Sequence, residues 1–259
     1  MTKTESEDPR ILNEDSQMLC LAKPAGMHVF GEMGSLSAWL LERKPDLSGV
    51  GPSDQPAIAH RLDLQTSGVM LVGKTVESYM RLRQSFSTGE MRKDYLALVC
   101  GHLDKSTEVK AALGGRYRRS QRVWVDDGSK KLRGLQAAHT HVEPLIKGSL
   151  AGQPVSLLRT RMNSGARHQI RAHLAHLGFP IVGDMRYGAK QGLGDTQDRF
   201  FLHAWIVVGP HPAEAGEERS WICPLPEALR LVLLRAEINE CDLPQICRPE
   251  GLDERPSPR

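Results

Sequence analysis

A chain of 259 residues is long enough to close a sizeable hydrophobic core, as one large domain or as two intimate subdomains. With 40% hydrophobic and 25% charged residues, no apolar run near the ~18 needed to cross a bilayer and no signal-peptide pattern in the polar start, a cytoplasmic protein without a membrane partner is expected. Five cysteines, an odd number with no Cys-x-x-Cys spacing, argue against a disulfide framework or a thiolate zinc site, and a net charge of +3 is weak support for a nucleic-acid partner.

Residues 1–10 are polar and expected to be a disordered tail. A strand is expected at 18–22 and a helix at 36–41, followed by a loop rich in Ser, Gly, Pro and Asp at 47–56. Then comes His60-Arg61-Leu62-Asp63-Leu64-Gln65-Thr66-Ser67-Gly68, a polar turn running straight into the apolar strand 69–72. Asp63 is thereby held on a rigid support, although an aspartate that merely caps its turn fits the spacing as well. A helix at 76–86 and a strand at 95–99, beginning at Tyr95, come next. Further strands are expected at 139–142, 155–161 and 201–208, and further helices at 166–177 and 227–236; residues 237–259 form a C-terminal extension whose end looks frayed. Strands arrive in runs rather than alternating with helices, so an α+β class with a mixed, mostly antiparallel sheet is favoured over a doubly wound one.

Between residues 116 and 133 lie Arg116, Arg118, Arg119, Arg122, Lys130, Lys131 and Arg133, with Tyr117 and Trp124 among them. Such a segment suits phosphates and exposed bases, and its bland alternative is a solvated hairpin turning at Asp126-Asp127-Gly128-Ser129. In the helix expected at 166–177, Ile170, Leu174 and Leu177 make an apolar stripe and place Arg167 and Arg171, four apart, together on another face. His168, His173 and His176 have no carboxylate or thiolate nearby to complete a tetrahedral set, so no metal site is expected. No phosphate-cradling loop or dinucleotide fingerprint is present, and no nucleotide cofactor is expected.

The stretch from His60 to Gly68 resembles the His-Arg-Leu-Asp-x-x-Thr-Ser-Gly signature of the RluA-type pseudouridine synthases. Other blocks match that family in the same order. Leu21-Ala22-Lys23-Pro24-Ala25-Gly26 is similar to its Lys-Pro-x-Gly turn, Arg92-Lys93-Asp94-Tyr95-Leu96 to its Lys-x-Tyr strand, and Arg167-His168-Gln169-Ile170-Arg171 with Gly183-Asp184 and Tyr187-Gly188 to its helix-and-turn block; Phe201-Leu202-His203-Ala204 closes the set. The resemblance runs over about residues 11–236 and implies the pseudouridine synthase fold, two intimate subdomains with flanking helices and a central catalytic cleft. Two departures stand out: Ser-Gly-Ala-Arg-His-Gln at 164–169 replaces the usual Thr-Gly-Arg-Thr-His-Gln, shifting the first arginine by one place, and with only about ten residues ahead of the first block no small basic RNA-binding domain is expected before it. Target recognition is then expected from the catalytic domain itself.

The activity implied is isomerisation of uridine in transfer or ribosomal RNA to pseudouridine, by a monomer without cofactor. The uracil is both leaving group and returning nucleophile, so one carboxylate suffices, whether it attacks the ribose or the uracil or removes a sugar proton on the way to a glycal. The resemblance assigns Asp63 that role, Arg171 the charge partner that holds it, and Tyr95 the ring packed on the flipped base. Arg61, two residues from Asp63, is placed to fill the gap left by the base or to hold a phosphate. His60, Thr66, Arg167, His168, Arg118 and Arg119 are the further candidate RNA contacts, with His60 and His168 open to backbone bonds instead. The rival readings are a catalytically silent RNA-binding protein of the same fold and a glycoside hydrolase, for which a second carboxylate is missing from the matching blocks.

Overall fold

A computed structural model describes residues 8–31, 33–118, 120–190, 193 and 199–238; Arg119, the first seven residues, Cys241, Cys247 and all but the first two residues of the expected C-terminal extension lie outside them. Nine strands form one sheet in the order β1 (Arg10–Glu14), β2 (Met18–Lys23), β3 (Ser67–Gly73), β11 (Leu202–His211), β4 (Arg92–Cys100), β10 (Gln153–Met162), β9 (His139–Leu150) and β5 (Thr107–Lys110), with β12 (Glu214–Ile222) also paired to β11. Every pairing is antiparallel except β3 with β11. The α+β, mostly antiparallel class read from the sequence is therefore the observed one.

The central strands are buried on both faces, which is why their sequences are continuous apolar runs: every residue of β2 and β3 is buried. The helices α1 (Leu36–Arg43), α2 (Val76–Thr88), α3 (Gln169–His176) and α4 (Glu227–Arg235) complete the chain. Thr75 and Ser78 form a capping box that starts α2, and Gly89 in the left-handed conformation stops it. One large core runs through the sheet. A second, small core joins α3 to a three-stranded arm made of β7 (Val123–Val125), β6 (Leu113–Gly115) and β8 (Arg133–Gln136); it contains Leu113, Val123, Val125, Ala166, Ala172 and Tyr187.

Two expectations are corrected. Helix α3 begins at Gln169, not at residue 166, because the Gln169 side chain accepts from the Ala166 N–H (3.1 Å) and the Ser164 hydroxyl (3.0 Å), turning the chain before the helix starts. Arg167 thus precedes the helix and does not share the face of Arg171: it is exposed and donates to the Ser120 carbonyl of the arm, while Arg171 is buried. The strand expected at 139–142 runs on to Leu150, since the apolar pattern breaks at Pro144 and Lys147 while the backbone pairing with β10 continues.

Candidate active site

Asp63 sits in the turn that leads directly into β3, and five hydrogen bonds set that turn and the end of β2 beside it. The Thr66 N–H donates to the Asp63 carbonyl (3.1 Å), and the Leu64 carbonyl accepts from the Gly26 N–H (2.9 Å). The buried Lys23 ammonium donates to the carbonyls of Pro24 (2.7 Å), Met27 (2.9 Å) and Leu64 (3.2 Å), tying the end of β2 to the residue after Asp63. Burial pulls the Lys23 pKa down to about 7, with Asp63 acting in the opposite direction.

Beyond the turn, β3 is clamped to β11. The buried His203 donates through Nε2 to the Cys223 carbonyl (2.9 Å), so its Nδ1 accepts from the Ser67 hydroxyl (2.9 Å). Burial lowers the His203 pKa to about 4, keeping the ring neutral as this bonding requires. At Gly68, φ is +131° and a Cβ would lie 2.1 Å from the Ala204 carbonyl oxygen, so the close crossing of β3 and β11 admits only glycine. The Thr-Ser-Gly and Leu-His-Ala blocks are the two halves of one joint that aims Asp63.

The Asp63 carboxylate, a quarter exposed, accepts from Arg171 Nη1 at 3.0 Å. Arg171 is held from its other edge by the buried Asp184, which accepts from Nε (2.6 Å) and Nη2 (3.0 Å). Burial works against the guanidinium charge, but the two carboxylates more than offset it. The Arg171 guanidinium carbon also lies 4.3 Å from the centre of the Phe200 ring and 4.9 Å from that of Tyr187. The result is an arginine with one free direction, which points at Asp63.

His168 adopts a left-handed backbone (φ +54°) just before α3, a conformation costly for a residue other than glycine. Its Nε2 lies 3.9 Å from Asp63 Oδ2 and its Nδ1 3.0 Å from the Tyr187 hydroxyl; burial lowers its pKa to about 4. Asp63, Arg61, Arg167, His168, Arg171 and Asp184 all line a cleft of about 710 Å³, which is large enough for a nucleotide.

The structure therefore brings Asp63, Arg171, Arg61, Arg167 and His168 together on the cleft lining, sets Tyr95 below it, and places the other candidates elsewhere. Tyr95 is 5% exposed and lies beneath the cleft rather than on its lining; burial raises its phenol pKa, and Asp63 raises it further. Its neighbour Asp94, on the opposite face of β4, is locked by Arg159 (2.5 Å) and Arg161 (3.0 Å) across β10. His60 uses Nε2 to accept from the Leu71 N–H (2.9 Å) and packs against Phe86, so it serves the backbone rather than the cleft. Thr66 is buried at 2% and serves the turn, not the surface. Arg118 is exposed on the arm, outside the cleft lining, and Arg119 is outside the described residues. Residue patterns alone did not single out Asp184 and Tyr187 as parts of this site: both lie in a short turn with no periodicity, and only the matched block 183–188 pointed to that stretch. Among the described residues no cluster of metal-binding side chains occurs.

The family model of RNA pseudouridylate synthase matches residues 17–176. Ribosomal large subunit pseudouridine synthase D of Nitrosomonas europaea is 33% identical over 234 residues, covering 86% of this chain and 64% of that protein. The enzyme of the same name from Pseudomonas aeruginosa is 32% identical over 238 residues, covering 84% of this chain and 68% of its own length. The chain thus spans about two thirds of the length of these relatives. The solved structure of human RNA Pseudouridylate Synthase Domain Containing 1 superposes with a TM-score of 0.73 at 25% identity, over 90% of both chains. With its matched segment spanning the Asp63 turn, both strands that flank it and the helix of Arg171, the chain belongs to the RNA pseudouridylate synthase family, of the RluA type.

Proposed function

We propose that the protein converts uridine to pseudouridine in RNA, that residues 11–236 are the catalytic unit, and that the substrate is large-subunit ribosomal RNA, as the names of the two bacterial relatives suggest. The observation that carries the activity is the triplet Asp63–Arg171–Asp184: one partly open carboxylate, fixed by an arginine that a second, buried carboxylate prevents from turning away. Asp63 acts on the flipped nucleotide as nucleophile or base. The glycosidic C–N bond breaks, the uracil turns within the cleft, and a C–C bond forms in its place, with the displaced proton returned to the base. Arg171 holds Asp63, and the Tyr95 ring forms the floor under the uracil once the base has entered.

The cationic rim of Arg61, Arg167 and Arg186 faces the phosphates, with Arg61 filling the gap left by the base. The arm extends this surface. Residues 113–136 carry seven basic and two acidic side chains, more net positive charge than the whole chain, and Arg122 Cζ lies 4.0 Å and Arg116 Cζ 4.9 Å from the Trp124 ring centre. The protein works on RNA in the cytoplasm, as a monomer. The test is pseudouridine mapping of unmodified ribosomal and transfer RNA treated with the protein and with Asp63→Asn. New pseudouridine with the first alone is expected, and equal turnover by Asp63→Asn would overturn the assignment. Tight RNA binding without product would favour the silent binding protein.

A further inference from the structure

The arm and the catalytic pair meet at one side chain. Tyr187 is 3% exposed, in the short turn Met185–Tyr187 that follows Asp184. Its hydroxyl oxygen accepts from the Val123 N–H of β7 at 3.1 Å and stands 3.0 Å from His168 Nδ1. With the oxygen already accepting from Val123, donation of the buried hydroxyl proton to Nδ1 is the arrangement that leaves neither group unpaired, and in it the neutral His168 carries its proton on Nε2, the atom facing Asp63. The ring is shared by two guanidinium groups, each 4.9 Å from its centre: Arg171 of the catalytic pair and Arg122 of the arm.

The surrounding contacts show that this is a joint between two parts. Arg167 donates to the Ser120 carbonyl, Arg186 to the Gln121 carbonyl (3.3 Å) and Val123 to Tyr187, so the stretch 120–123 is pinned to the residues that carry His168 and Asp184. Arg122, within that stretch, has a buried Nε with no hydrogen-bond partner among the described residues, while its guanidinium lies 4.0 Å from the Trp124 ring centre. A cation held between two aromatic rings, with no carboxylate paired to it among the described residues, is matched to a phosphate that arrives with the ligand.

We propose that Tyr187 is a positioning residue that couples RNA held by the arm, at Arg122, to the orientation of His168 and Arg171 over Asp63. This rests on the reading of the protein as an RNA pseudouridine synthase. β7 already holds the Tyr187 hydroxyl through the Val123 N–H, the hydroxyl fixes the His168 tautomer, and the ring braces Arg171. RNA phosphate held at Arg122 acts on this same strand, so a ligand on the arm bears directly on the geometry of the site.

The test compares single-turnover pseudouridine formation and dissociation constants on a large-subunit ribosomal RNA transcript, for the wild-type chain, Tyr187→Phe, His168→Asn and the double variant. Phenylalanine keeps the ring between the guanidinium groups and removes only the hydroxyl; asparagine tolerates the left-handed backbone at residue 168. Tyr187→Phe is expected to slow the chemical step about tenfold with the dissociation constant within twofold of wild type. The double variant is expected to be no more than twofold slower than the slower single one, because both cut the same relay. A second substitution, Val123→Pro, removes the arm-side N–H from the other side of the joint and is expected to slow the same step at least threefold. Losses that multiply in the double variant, a Tyr187→Phe rate within twofold of wild type, or an effect on affinity alone would overturn the coupling. If the wild-type chain forms no pseudouridine, the activity itself fails and the coupling with it, an outcome separate from an active wild type with an unaffected Tyr187→Phe.

Discussion

Asp184→Asn separates the holding of Arg171 from the chemistry of Asp63. Asp184 is 2% exposed and accepts two charge-assisted hydrogen bonds from Arg171, at 2.6 and 3.0 Å. Removing one partner of a buried ion pair costs about 3–5 kcal/mol when the other charge is left alone. Here Asp63 remains as a second carboxylate at 3.0 Å, and asparagine keeps one carbonyl to accept one bond, so the loss falls to about 2–3 kcal/mol. For a chain of this size that lowers the melting temperature by roughly 5–10 °C. Arg171, no longer gripped along Nε and Nη2, gains freedom to turn from Asp63, and a tenfold slower chemical step corresponds to only about 1.4 kcal/mol of lost alignment. The assays are thermal melting, RNA binding, and single-turnover pseudouridine formation on large-subunit ribosomal RNA below the melting range. The expected pattern is a lower melting temperature, unchanged RNA affinity and a rate at least tenfold down. A variant that melts early but reacts at the wild-type rate would show that Asp184 serves only the fold, and would remove the reason for calling the triplet a unit.

Three further outcomes follow from other parts of the structure. His60, His168 and His203 have pKa values lowered to about 3, 4 and 4, chiefly by burial, so on acidification the unfolded chain takes up their protons first. Stability is full above about pH 6.5 and is lost as pH falls toward 4, with the fully buried His203 alone contributing about 3 kcal/mol of the fall; urea midpoints measured from pH 7 to 4.5 check this, and a flat midpoint would contradict the neutral His203 clamp. Gly68→Ala is expected to abolish soluble folded protein or to destabilise it by about 4 kcal/mol or more, because its Cβ meets backbone of β11 that cannot move without opening the β3–β11 pairing; circular dichroism of the purified variant decides. Arg61→Ala, at an exposed position on the cleft, is expected to leave the melting temperature within 1 or 2 °C, since surface substitutions shift stability by only about 0.5 kcal/mol, and to weaken RNA binding with a shallower salt dependence. An unchanged salt slope would place Arg61 away from the phosphates.

The strands that were legible in the sequence are those buried on both faces. β2, β3, β4 and β11 read as unbroken apolar runs, and each is found within a few residues of its expected bounds. β1 and β8 have no buried side chain, so periodicity does not reveal them; β1 is held by pairing with β2 and by Leu12 against the main core, and β8 by pairing with β6. At the site, Asp63 and Arg171 were legible because matched blocks flank them. Arg167 was misplaced because the register of α3 is set by the Gln169 side chain bonding back to the turn, a local competition that helical periodicity does not encode. His60 is open in the sequence to either backbone or RNA, and its bond is to the backbone of β3; Thr66, a candidate RNA contact by its place in the matched block, is buried in the turn.

The same distinction explains why so many polar residues surround Asp63. Among the described residues, Lys23, His60, Ser67, Asp184 and His203 each direct a polar group at backbone or at another polar side chain. Each is buried or half-buried, so each bond lies where the low dielectric makes it directional and makes its loss costly. Together they fix the Asp63 turn from β2, from β3 and from β11, while Arg171 and Asp184 fix its carboxylate from the side of α3. In the proposed reaction Asp63 meets the same nucleotide before and after the base has turned, so a rigid seat serves it better than a second acid, and only the uracil has to move.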